Sequence, residues 1–156
     1  MTAPAWPGYT LRQLPRGLEA KWEAVKAERI PDPTTDQPNP PLSVNAWVNR
    51  AIAYAADPRD HWQGPIETLR RKTGDCEDYA ILKRAILIAR GWPASRLALV
   101  VGDDLIRRQA HALLWADGQL WDSLSDHPIM PAELAGDFIP HFAFGLAAWA
   151  YERGAE

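Results

Sequence analysis

The chain has 156 residues, 47% hydrophobic and 24% charged, an ordinary composition with enough apolar material for one domain with a sizeable core. A formal net charge of -3 and the lack of a long basic run argue against a nucleic-acid partner. No apolar stretch approaches the roughly 18 residues of a membrane span, so no transmembrane segment is expected.

Met1 to Pro7 shows no basic segment followed by an apolar one, so no signal peptide is expected. The protein is then periplasmic if a leader was removed and cytoplasmic if the chain is complete. The segment from Leu18 to Ile30 carries Leu18, Trp22, Val25 and Ile30 among charged residues, which predicts an amphipathic helix. Prolines at 31, 33, 38, 40 and 41 predict a rigid connector between two helical segments. Ser43 is the expected N-cap of a second helix, with Val44, Trp47, Val48, Ile52 and Ala55 on one face. Asp57-Pro58 ends it. Trp62-Gln63-Gly64 reads as a turn, and Pro65 opens a short helix to about Arg71.

A longer helix follows, starting around Gly74-Asp75-Cys76 and stopping at Gly91-Trp92-Pro93. The pattern then changes. Leu97 to Val101, Gln109 to Trp115 and Leu120 to Leu124 read as strands, and Asp117-Gly118 is a hairpin signal between the last two. Phe142 to Leu146 and Ala148 to Tyr151 predict one or two more. Helices first and antiparallel strands afterwards define an α+β layout.

The chain contains a single cysteine, Cys76, and the pattern places it in the first turn of a helix. Free N–H groups and the positive end of the helix dipole favour a thiolate there, so a depressed thiol pKa is expected. His111 and Asp122 lie downstream in strand-like segments. Pairing about the Asp117-Gly118 turn brings Asp122 opposite residues 112 to 114, one diagonal step from His111. A thiol, then an imidazole, then a carboxylate is the set needed for a nucleophile, a general base and an orienting group. Each residue has a plainer reading: a core cysteine, a satisfied strand histidine, a turn-capping carboxylate. The polar neighbours of Cys76 argue against the first.

Asp75, Glu77 and Asp78 surround that thiol. Their charges oppose its ionisation. They are either helix N-terminal carboxylates that complement the dipole or ligands of a hard cation such as calcium. The backbone N–H of Cys76 supplies one oxyanion donor, with Trp62 or Gln63 as the candidate for a second.

The run from Gly74 to Ala80, preceded by Trp62 to Leu69, resembles the bacterial transglutaminase-like cysteine peptidases, the LapG-type proteases. The likeness extends upstream through Leu18 to Trp22 and Val44 to Asn49, and downstream through Gln109-Ala110-His111 and Leu120-Trp121-Asp122. It implies a papain-like or transglutaminase-like α+β fold, with a helical N-terminal half and the nucleophile at a helix start packed on an antiparallel sheet. It implies Cys76, His111 and Asp122 as the catalytic triad of a cysteine endopeptidase. Asp75 and Glu77 match calcium-binding acids, with Asp78 as an added ligand. Family members are periplasmic, cut surface adhesins, and are held by an inhibitory cyclic-di-GMP receptor. Acyl transfer to an amine, cleavage of an amide such as a peptidoglycan peptide, and a non-catalytic binding module are the alternative functions.

Overall fold

The computed structural model describes residues 4–15 and 19–154. Helix α4, Cys76–Ala89, is the centre of the fold. From Cys76 through Leu87 every one of its residues is buried, and a helix covered on all sides is a core helix. It packs against α2 (Leu42–Ala51) and α3 (Pro65–Arg71) on one side and against the sheet on the other. Asp75 caps it. The Asp75 carboxylate accepts from the Asp78 N–H, and the Asp78 carboxylate accepts from the Asp75 N–H at 3.0 Å, a closed capping box. Gly91 (φ 94°) then turns the chain out of the helix.

The main sheet runs in the order β1-β8-β7-β4-β5-β6 and is antiparallel throughout. Its strands are β1 (Tyr9–Gln13), β4 (Leu97–Asp104), β5 (Gln109–Ala116), β6 (Gln119–Trp121), β7 (Phe138–Phe144) and β8 (Ala148–Arg153). Asp117 and Gly118 both adopt positive φ (52° and 90°), as the tight β5–β6 turn requires. Alternation splits the core across the two faces. Leu97, Leu99, Ala112, Leu114 and Phe144 face the helices; Val100, Leu113, Trp115, Phe138 and Tyr151 face a second cluster closed by Trp6. A short parallel pair, β2 (Ala53–Tyr54) with β3 (Thr73–Gly74), clamps the chain just ahead of Cys76.

Several expectations change. The first helix, α1, spans only Ala20–Val25, while Leu18 lies outside the described residues. Ile30 is buried from the loop beyond it. Trp22 still anchors the segment: its indole donates to the Gly145 carbonyl at 2.9 Å and the Arg84 guanidinium lies 4.7 Å over its ring. Ser43 does not cap α2. The helix opens at Leu42, and the Ser43 hydroxyl is buried with no hydrogen-bond partner among the described residues. Ala55 lies past β2 and is exposed. The proline connector is tied down, since Arg90 donates to the Thr34 carbonyl at 2.8 Å and lies 3.6 Å from Asp32. Strands β1, β2 and β3 had no expectation. They are too short or too exposed to show a period.

Candidate active site

The box at Asp75 places Cys76 at the first position of α4, and the thiol is buried. Its Sγ donates to Glu77 Oε2 at 3.2 Å, and the backbone of Ala112 on β5 lies close enough to the sulfur to favour its thiolate. The thiol therefore rests against the residue next to His111.

His111 is itself buried, the first buried residue of β5 after the exposed Gln109 and Ala110. Its Nε2 donates to Asp122 Oδ1 at 2.9 Å, a bond that fixes the tautomer and leaves Nδ1 as the basic nitrogen. Among the described residues Nδ1 has no hydrogen-bond partner. Strand β6 stops at Trp121, short of the expected Leu124, so Asp122 sits just beyond its end. Oδ1 also accepts from the Leu124 N–H at 3.2 Å. Burial pushes the Asp122 carboxyl up, but the His111 ring, the Leu124 N–H and Lys83 outweigh it and hold the group below its usual range. The hydrogen bonds thus join His111 to Asp122 and Cys76 to Glu77. Among the described residues none joins the two pairs. Past the end of β6 the pairing leaves His111 to Leu113 unflanked on that side of β5. A cavity of about 340 Å³ opens there, bounded by Tyr54, Ala56, Arg107, Gln109, His111 and Leu124.

The expected depression of the thiol pKa is not found. Burial pushes Cys76 up, the charge and hydrogen bond of Glu77 push it further, and the Ala112 backbone only partly offsets them. The helix dipole is too small an effect to compete with a buried neighbouring carboxylate. The acids oppose one another as well. Glu77 is pushed up to about 7 by burial and by Asp75, and Asp78 to about 7, again by burial first.

The three acids are not equivalent as cation ligands. Both Asp78 oxygens are engaged: Oδ1 accepts from the Gln63 N–H at 2.8 Å and Oδ2 from the Asp75 N–H at 3.0 Å. Asp78 ties the Gln63 loop to the helix start. Asp75 and Glu77 are both buried, and the Asp75 charge adds to the cost of ionising Glu77. Among the described residues no group of three or more His, Cys, Asp or Glu side chains closes round a metal position. Gln63 has no donor to spare for an oxyanion, because its amide donates to Thr68 Oγ1 at 3.2 Å and to the Thr73 carbonyl at 2.9 Å. The Trp62 Nε1 is buried and has no hydrogen-bond partner among the described residues.

Lys83 is the residue that sequence reasoning missed. It is fully buried, and Nζ donates to the Asp122 carbonyl at 3.2 Å. The signal was there: a lysine seven positions after the cysteine, on the same stripe of a helix flanked by apolar residues. Burial pulls its ammonium down to about 7, against the attraction of Asp122 and Asp126. Below pH 7 both folded and unfolded chains hold this proton. Between about 7 and the usual 10.5 only the unfolded chain does, so stability rises with pH across that window. The slope is at most about 1.4 kcal/mol per pH unit. Melting temperatures of wild type and Lys83→Met at pH 7 and 8.5 test it; the gap between the two proteins should shift with pH in favour of wild type. A gap independent of pH would place the Lys83 proton elsewhere.

Papain-like and transglutaminase-like cysteine peptidases build their sites in this way, on a helix start laid against an antiparallel sheet. Comparison with known proteins agrees. The family model for bacterial transglutaminase-like cysteine proteinases, BTLCP, matches residues 21–126, and the chain belongs to that family. LapG of Legionella pneumophila is 30% identical and superposes with a TM-score of 0.63, over 70% of this chain and 66% of LapG. Its calcium-bound form matches with a TM-score of 0.64 over 74% and 70% of the two chains, and its EGTA-treated form with 0.63 over 70% and 64%. The match thus spans about two thirds of LapG. No match is found among curated protein sequences.

Proposed function

We propose that the protein is a cysteine endopeptidase working through Cys76, His111 and Asp122. His111 Nδ1 takes the thiol proton, and the sulfur attacks the scissile carbonyl of a protein substrate. The same nitrogen returns the proton to the leaving amine, and water then releases the acyl group. Asp122 keeps the imidazole in the required tautomer. The Cys76 N–H donates to the developing oxyanion, and the unpartnered Trp62 indole is the favoured second donor. The observation that carries this reading is the buried His111–Asp122 pair at 2.9 Å, one residue along β5 from the backbone that touches the thiol.

The test is digestion of fluorescent casein in the presence and absence of a primary amine. Casein fragments without amine incorporation are expected. Incorporation into intact casein would make the protein an acyltransferase, and neither product would leave a binding module.

Calcium is part of the proposal. The Asp75 and Glu77 carboxylates would hold the ion, and its charge would offset theirs beside a thiol that has to ionise. The calcium-bound form of LapG supports this by likeness. Chelation is expected to lower the melting temperature and the rate of casein digestion, and added calcium to restore both in a concentration-dependent way. Magnesium, which demands a small octahedral site, should substitute poorly. Asp75→Ala with Glu77→Ala should abolish the response. A wild type indifferent to chelator would reduce the acids to capping charges. A surface adhesin as substrate and an inhibitory cyclic-di-GMP receptor as partner rest on the family resemblance alone.

A further inference from the structure

Asp122 is the one member of the proposed triad that no regular element holds. Strand β6 ends at Trp121, and the chain turns through Ser123 to Ser125. Its position is set instead by two helices. From α2, the Asn49 amide donates to the carbonyls of Asp122 (3.0 Å) and Ser125 (3.1 Å), and the Asn45 amide to Ser125 (2.8 Å). From α4, Lys83 donates to the Asp122 carbonyl at 3.2 Å. Asn45 and Asn49 are one helical turn apart and share a face. Cys76 and Lys83 are two turns apart on one stripe, about 10 Å along the axis.

Packing alone gives no reason for this chemistry. Burying an amine carries a desolvation cost, and a methionine would fill the same space without it. The polar side chains converge on one stretch of backbone, and that stretch presents the carboxylate to His111.

We propose that Lys83 and Asn49 are positioning residues for catalysis: they clamp the Asp122 carbonyl so that its carboxylate meets His111 Nε2. The inference rests on the triad reading above. In it α4 acts as a ruler. The nucleophile stands at one end, the support of the triad carboxylate two turns on, and the spacing between them is fixed by the helix. Asn49 repeats the contact from a second element, so the carbonyl is held from two directions.

The experiment compares Lys83→Met, Asn49→Leu and Asp122→Asn, alone and in pairs, with fluorescent casein in calcium buffer. Each of the first two is expected to lower kcat about 10-fold or more with KM little changed. Neither should lower it further once Asp122→Asn is present, because all act through one carboxylate. The second readout is the NMR titration of His111 in the Cys76→Ala protein, which needs no substrate. Misplacing the carboxylate removes an attraction for the imidazolium, so His111 should titrate at lower pH in both variants. Loss of the lysine charge alone would move it the other way.

A lower melting temperature with an unmoved His111 titration would make the two residues merely structural and overturn the proposal. So would effects that multiply in full with Asp122→Asn. If Asp122→Asn slows digestion while Lys83→Met and Asn49→Leu do not, the positioning role alone falls. If Asp122→Asn itself changes neither kcat nor His111, the triad reading falls and the clamp with it.

Discussion

Cys76→Ala and His111→Ala each reduce casein hydrolysis by a factor on the order of 10⁴ or more while the protein stays folded. The size follows from the roles. Without the sulfur there is no acyl-enzyme, and without the imidazole nothing takes the proton from a thiol that its surroundings hold protonated. That second point makes the dependence on His111 severe. A cysteine with an already depressed pKa retains some nucleophilicity without its base, whereas Cys76 is pushed the other way by burial and by Glu77. The fold should tolerate both changes. Among the described residues the Cys76 side chain makes one hydrogen bond, to Glu77, and the helix cap lies in the Asp75 and Asp78 carboxylates, which neither variant touches. Asp122→Asn should be milder than either, since it spoils orientation and leaves the reacting groups in place. The measurement is initial rate beside a thermal melt for each variant. Near wild-type turnover in a folded Cys76→Ala protein would end the nucleophile assignment.

Gly102→Ala is expected to destabilise the protein by about 3 kcal/mol, roughly 10 °C in melting temperature for a chain of this size. A Cβ at Gly102 would stand 2.1 Å from the Ile139 carbonyl oxygen and 2.7 Å from the Phe138 ring. The first of these is backbone of the paired strand β7 and cannot rotate away. The β4–β7 register already shifts between Val101 and Gly102, so the close approach is built into the pairing. Gly102 is also the partner of His111 across β4 and β5. Strand β4 must therefore move at the residue that flanks the base, and activity should fall further than the lost stability alone accounts for. A variant that melts with wild type would show that β7 yields at no cost.

The helix start at Asp75, the hairpin at Asp117-Gly118 and the order Cys76, His111, Asp122 were all written in local sequence. Each rests on neighbours within a few residues: a cap three positions from its partner, a turn that needs two positive φ angles, a strand that alternates. The His111–Asp122 contact was legible for the same reason, because a two-residue turn fixes which residues face one another. The strands that close the sheet were not legible. Strand β1 is half-exposed, and only pairing with β8 at the far end of the chain makes it a strand. The thiol pKa was beyond reach as well. The sequence announces a helix dipole, but burial depends on α2, α3 and the sheet closing round α4, and desolvation then outweighs the dipole. Lys83 is the sharpest case. Alone it is a charged residue in a helix, to be assigned to solvent. Tertiary packing surrounds it and leaves its amine the Asp122 carbonyl as its hydrogen-bond partner, because a buried donor has to find an acceptor and the loop after β6 supplies it.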